Sequence, residues 1–215
     1  MLSLIILTLA VCANADDTYK DGTQCHCDSI HRIYYESGSI ESETPYENGK
    51  RNGIVKKYYE SGSIKLEIPY ENDKVNGIVK DYNESGSIEE IPYENDKING
   101  IQKFYYKSGS IKLEIPYENN KMNGIWKAYF ESGSIMWETP FENDKKNGIE
   151  KKYYESGSIE LEIPFENDKK NGIEKSYYES GEIASTATYQ NGILQGYKHC
   201  SDGRIGNDNL DCLVQ

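Results

Sequence analysis

Ile64, Leu66, Ile68 and Tyr70 alternate with Lys65, Glu67 and Pro69 in the stretch IKLEIPY. A period of two places the first set on one face and the second on the other, which predicts a strand with one covered face. The alternation returns as Ile159, Leu161, Ile163 and Phe165 against Glu160, Glu162 and Pro164. The recurring prolines and this period exclude a helix. A second run, GIVKKYY at 53–59, mixes β-branched and aromatic residues and reads as a second strand. Between the runs lie two kinds of turn. ESGS places a glycine where a tight hairpin needs a left-handed residue. YENDKVNG at 70–77 is longer and rich in Asn, Asp and Gly, and is expected to be a looser hairpin turn. Its first copy reads YENGKRNG, and Asn-Gly is a strong hairpin signal.

The pattern is periodic. Its Ser-Gly glycines fall at Gly38, Gly62, Gly86, Gly109, Gly133, Gly157 and Gly181, which defines seven units beginning at Tyr34, Tyr58, Tyr82, Tyr105, Tyr129, Tyr153 and Tyr177. Like hairpins in series predict an all-β fold: an elongated, twisted antiparallel β-meander of tandem hairpin repeats, forming a single-layer ribbon over residues 34–198. Fourteen strands at about 4.8 Å would span roughly 65 Å. The third unit is one residue short, SGSIEEIP for SGSIKLEIP, and a bulge near Glu89 and Glu90 is expected to absorb the deletion. Prolines 45, 69, 92, 116, 140 and 164 sit near the end of each first run, where the ladder should be broken or bulged. Ile54, Lys56 and Tyr58 recur with little change and read as a stacking ladder. The alternate positions Val55, Val79, Gln102, Trp126, Glu150 and Glu174 vary, and tandem repeats gain specificity from such positions.

Composition refines this picture. Tyr (19) far exceeds Phe (4), which suits a half-buried sheet rather than a thick core. A net charge of −12 argues against nucleic acid or an anionic membrane surface as partner and leaves basic proteins open. The first fifteen residues, MLSLIILTLAVCANA, read as a cleaved export signal, with lipidation of Cys12 as the alternative. No later segment is apolar enough to span a bilayer. Four cysteines remain outside the repeats: Cys25 and Cys27 in an N-terminal cap (16–33), and Cys200 and Cys212 in a C-terminal cap (199–215). All four are disulfide candidates in an exported chain, and Cys200 with Cys212 closes a short polar loop. Cys25-His26-Cys27 lacks the second ligand pair of a structural zinc site, so no metal or other cofactor is expected.

At the level of one unit, YYESGSIKLEIPYENDKVNGIVKD resembles the MORN-repeat variant of YwqK-family antitoxin proteins of bacteria. The matching pieces are YYESG, the aromatic-x-Asn-Gly or Asn-Asp turn, and NGI followed by Lys and Tyr, recurring over residues 34–198. The resemblance implies an antitoxin or immunity role, in which the chain binds and neutralises a toxin partner. Related arrays imply a scaffold for proteins or lipids. The export signal and the cysteine caps depart from the repeat pattern, and an exported surface or envelope scaffold contacting host or cell-wall components is the alternative.

Catalysis is not expected. Enzyme sites bring unlike residues together once, whereas here like residues recur seven times, and His26, His31 and His199 only flank the array. The recurring carboxylates, such as Glu67 and Glu71, lack the dense spacing of a calcium loop and read as a solvated row. Binding of a protein, possibly a basic toxin in the antitoxin reading, is the expected function. Phe104, Trp126, Phe130 and Trp137 cluster in the fourth and fifth units and are the candidate partner-binding residues.

Overall fold

The computed structural model describes residues 29–84 and 86–212. The leader at 1–15 with Cys12, and the Cys25-His26-Cys27 element, lie outside them. Among the described residues there is no helix, and the strands pair antiparallel along the chain. The chain divides into two compact units, one ending at Asn99 and the next beginning at Gly100. Each is the hairpin meander that the alternation predicts.

In the N-terminal unit, the strand Ser29–Tyr34 pairs with Ile40–Glu47, so the first hairpin starts before the Tyr34 boundary. The repeat is then an eight-residue strand (Ile64–Glu71), a two-residue strand (Lys74–Val75) and a six-residue strand (Gly77–Tyr82). The C-terminal unit repeats the scheme from Gly100–Tyr105 through Ile183–Gln190 and ends in Lys198–Cys200 and Ile205–Gly206.

The ESGS segment closes a three-residue loop. At Tyr59 the amide donates to the Ser63 carbonyl and the Gly62 amide donates to the Tyr59 carbonyl, with Gly62 at φ +86°. That is a β-turn followed by a left-handed residue, which only glycine adopts freely. The other connection is tighter than the sequence leads one to expect. Asn72 and Asp73 both have positive φ and form a two-residue hairpin loop of type I′, with the short strand Lys74–Val75 following at once. The length of YENDKVNG comes instead from a second irregularity. Gly77 sits at φ +120° opposite Pro69, and the Asn76 amide donates to the Pro69 carbonyl at 3.0 Å. The ladder is therefore bulged where proline has no amide to give, as the proline positions predict.

Aspartate at the second position of a type I′ turn is costlier than glycine. Here the side chain compensates by reaching the preceding repeat. Asp73 Oδ1 accepts from the Arg51 amide at 2.9 Å while the Asp73 amide donates to the Arg51 carbonyl. Asp96 treats Val75 likewise, and in the C-terminal unit Asp144 treats Met122 and Asp168 treats Lys146. Hydrogen bonding to the Arg51 amide holds the Asp73 carboxyl below its ordinary pKa. The turns Asn48-Gly49 and Asn191-Gly192 carry glycine at that position instead.

The shortened third repeat overturns one expectation. In its neighbours the register slips once: Lys57 opposes Leu66 and Tyr58 opposes Ile64, so Lys65 is an extra residue in the ladder. In the third repeat Asp81 opposes Glu89 and Tyr82 opposes Ile88 without a slip. There is no bulge at Glu89 and Glu90; the deletion removes the bulge that the other repeats carry. For the same reason Ile64 follows Tyr58 and not the face of Leu66, Ile68 and Tyr70.

Burial separates the constant from the variable positions. The recurring isoleucines are half exposed: Ile54 and Ile78 are each 51% exposed, and Ile149 is the same. The variable positions are the covered ones, with Val55, Val79, Gln102, Glu150 and Glu174 all buried. Tyr and Lys of the recurring set do stack. The Tyr58 hydroxyl donates to Glu43 at 2.8 Å, and Tyr129, Tyr153 and Tyr177 donate to Glu114, Glu138 and Glu162. A second tyrosine row spans repeats: the hydroxyls of Tyr35, Tyr59, Tyr106 and Tyr154 donate to the carbonyls of Tyr58, Tyr82, Tyr129 and Tyr177. One face is thus a constant ladder, and the other, covered face carries the variation.

Candidate functional site

On the variable face of the C-terminal unit the repeat motif LEIP changes to WETP. Trp137 takes the place that Leu66, Leu113 and Leu161 hold elsewhere, and Thr139 takes that of Ile68, Ile115 and Ile163. Trp126 lies opposite Thr139, and Trp137 lies opposite Ala128 on one side and Lys152 on the other. Replacing isoleucine by threonine lowers the floor, and two indoles raise the walls. The result is a cavity of about 330 Å³ lined by Trp126, Trp137, Thr139, Phe141, Lys146 and Glu150.

Its Thr, Lys and Glu side chains are bonded to one another. Glu150, 6% exposed, accepts from Thr139 Oγ1 at 2.9 Å and pairs with Lys146 Nζ at 2.5 Å. A buried carboxylate without such partners would be costly, so the pair fixes the floor. Lys146 also lies 4.8 Å from the Phe165 ring centroid. Lys152 approaches Trp137 at 5.8 Å while pairing with Glu160, the extra residue of that repeat's bulge, at 2.7 Å. Neutralised charges beneath aromatic walls make a surface that takes up an apolar or aromatic side chain without stranding a polar group.

Of the four predicted contact residues, the structure brings Trp126 and Trp137 together. Phe104 lies opposite Leu113 and Phe130 at the turn preceding Ser134; neither lines the cavity. Phe130 holds the place of the turn tyrosines and has no hydroxyl to donate across repeats. Thr139, Phe141, Lys146 and Glu150 were missed, although Thr139 and the buried Glu150 could have been found as departures from the repeat consensus. At the C-terminus, Cys200 and Cys212 form a disulfide with Cα atoms 5.4 Å apart, and both residues are buried. Among the described residues no group of His, Cys, Asp or Glu could hold a metal ion.

Tandem hairpins held by ladders between like residues, with variation confined to one face, define a repeat scaffold. The chain belongs to the MORN repeat variant family, whose pattern matches residues 28–48, 51–72, 75–95, 98–119, 122–143, 146–167 and 170–191. No curated protein matches the chain, so the finer likeness to YwqK-family antitoxins has no matched relative behind it.

Proposed function

We propose that this chain is a non-enzymatic, exported scaffold that binds a protein partner through the aromatic cavity between Trp126 and Trp137. The observation that carries this reading is the departure from the repeat consensus at Trp126, Trp137 and Thr139, which opens a cavity whose Thr139, Glu150 and Lys146 side chains are bonded to one another. Large aromatic side chains around a desolvated pocket are where binding energy concentrates at protein interfaces. Within that class the antitoxin-like reading assigns the partner as a basic toxin, supported by the net charge of −12 and the repeat resemblance. A pull-down from the exported fraction should recover a partner with the native chain and lose it with Trp126→Ala. The antitoxin reading further requires salt-sensitive co-purification and growth protection against that partner; protection absent beside an active toxin rejects it. The Cys200–Cys212 disulfide supports export in either reading, because disulfides persist in oxidising compartments, and the second reading is an exported surface or envelope scaffold. Protease shaving of intact cells should then remove the repeats.

A further inference from the structure

A second cavity, of about 360 Å³, lies on the variable face of the N-terminal unit, over Val55 and Ile68. Its chemistry is the reverse of the aromatic one. Four hydroxyls line it, from Ser42, Thr44, Tyr46 and Tyr70, and none of them bonds another described residue. His31, Arg51 and Lys57 supply the charged or chargeable groups, and no Asp or Glu is among the described residues that line it.

The corresponding cations in the C-terminal unit are neutralised from within. Lys146 pairs with Glu150 four residues on, and Lys152 pairs with Glu160 at the bulge. In the N-terminal unit the residue four after Arg51 is Val55, and the bulge residue after Lys57 is Lys65. Lys57, opposite Ser42, has no ion-pair partner among the described residues. Arg51 lies 4.1 Å from the Tyr70 ring centroid and directs Nε and Nη2 to Asp73. That leaves its Nη1 donors without a partner among the described residues. In a chain of net charge −12, Lys57 without a carboxylate partner and the outward Nη1 of Arg51, whose Nε alone meets the Asp73 carboxylate, lie beside four unengaged hydroxyls and suit a ligand that brings its own charge.

We propose that this cavity binds an anionic monosaccharide unit, a sugar ring carrying one oxyanion. Lys57 Nζ and Arg51 Nη1 take the oxyanion through charge-assisted hydrogen bonds. The Ser42, Thr44, Tyr46 and Tyr70 hydroxyls, each both donor and acceptor, take the ring hydroxyls. The volume suits a single ring rather than an oligomer.

Titration of the full chain by isothermal calorimetry, with glucose 6-phosphate and glucuronate as probes, tests this. At least one should bind saturably and about tenfold more tightly than either glucose or inorganic phosphate, since each charge-assisted bond adds that order of discrimination. Lys57→Glu, at an exposed position, should weaken binding about tenfold or more without moving the melting temperature. Trp126→Ala should leave it unchanged, which separates this site from the partner cavity. The proposal is overturned if neither probe binds, if inorganic phosphate or glucose binds equally well, or if Lys57→Glu binds like the native chain. Sedimentation with vesicles carrying phosphatidylinositol 4-phosphate but no binding of the soluble sugars would overturn it in favour of a membrane headgroup.

Discussion

Two single-residue deletions two positions apart should differ sharply in cost. Lys65 is the extra residue of its ladder, exposed, and its only recorded contact is with the Tyr59 ring at 5.4 Å. Removing it converts the repeat to the form that the third repeat already adopts, with Leu66, Ile68 and Tyr70 keeping their face. The expected loss is the cation–π contact, about 0.5–1 kcal/mol. Removing Glu67 also shortens the strand by one residue, but moves Leu66 to the place opposite Lys56 and brings Lys65 to the covered face. That forfeits part of the ~1.5–3 kcal/mol from burying a leucine. It also removes the acceptor of the Tyr82 hydroxyl bond at 3.0 Å, a charge-assisted bond of about 1.5 kcal/mol or more. The Glu67 deletion should therefore cost roughly 2–4 kcal/mol, judged from those two losses together. Urea unfolding followed by far-ultraviolet circular dichroism on both variants reads the difference. Equal destabilisation by the two deletions would refute the assignment of Lys65 as the bulge residue.

Gly148→Ala should lower the melting temperature far more than Gly157→Ala. A Cβ at Gly148 (φ +121°) would lie 2.8 Å from Pro140 Cγ, whereas one at Gly157 (φ +91°) meets nothing within 4 Å. Both carry the strain of a left-handed alanine, about 1–2 kcal/mol, and only the first adds a clash. Asp168→Ala removes the acceptor of the Lys146 amide at 2.8 Å and leaves a left-handed alanine, so a loss of about 1–3 kcal/mol and faster amide exchange at Lys146 are expected. Burial, with the Glu138 and Glu162 carboxylates, pushes the Tyr153 and Tyr177 hydroxyls up to about 12. Their contribution is complete below the unfolded value near 10 and is lost as pH rises through about 12. Thermal melts should weaken over that window, less so in Tyr153→Phe, and phenolate absorbance should rise later than in the urea-unfolded chain. Cys200→Ser, opening a disulfide across twelve residues, should cost about 3 kcal/mol, matched by reductant treatment of the native chain.

Much of this fold is legible in the sequence because period and turn chemistry agree. The alternation in IKLEIPY, the Ser-Gly turns and the prolines each specify a local feature that recurs along the chain, the turns seven times and the prolines six. Two things were not legible from one repeat alone. The bulge at Lys65 is invisible because an extra residue keeps the apparent alternation from Ile64 to Leu66 while reversing the face of Ile64. The depth of a row depends on which sheet face twists inward, so the sequence separates the constant Ile54 row from the variable Val55 row but does not say which of the two is covered. The candidate site was half legible for the same reason. Trp126 and Trp137 stand out by type, whereas Thr139 and Glu150 matter only as partners across strands.

A repeat sheet without a covering layer must obtain its stability from contacts between successive hairpins. Those contacts recur on one face and at the turns: Tyr to Glu, Tyr to carbonyl, Asp to the preceding amide. They are renewed at most steps, with lapses such as Phe130 in the turn-tyrosine row and Gly49 in the turn-aspartate row, so those positions change less than the variable face does. The opposite face is covered by its own side chains, yet it tolerates Val, Gln, Trp and Glu at equivalent places, because a wrong-sized residue opens a cavity instead of breaking a ladder. The price of variation there is a void or an unneutralised charge. WETP in one unit opens an aromatic void with its charges paired. Ser42, Thr44 and Lys57 in the other open a polar void in which Lys57 has no ion-pair partner among the described residues. On the two binding proposals made above, recognition on this scaffold follows from where the repeats fail to match, and the chemistry of each mismatch names its ligand class.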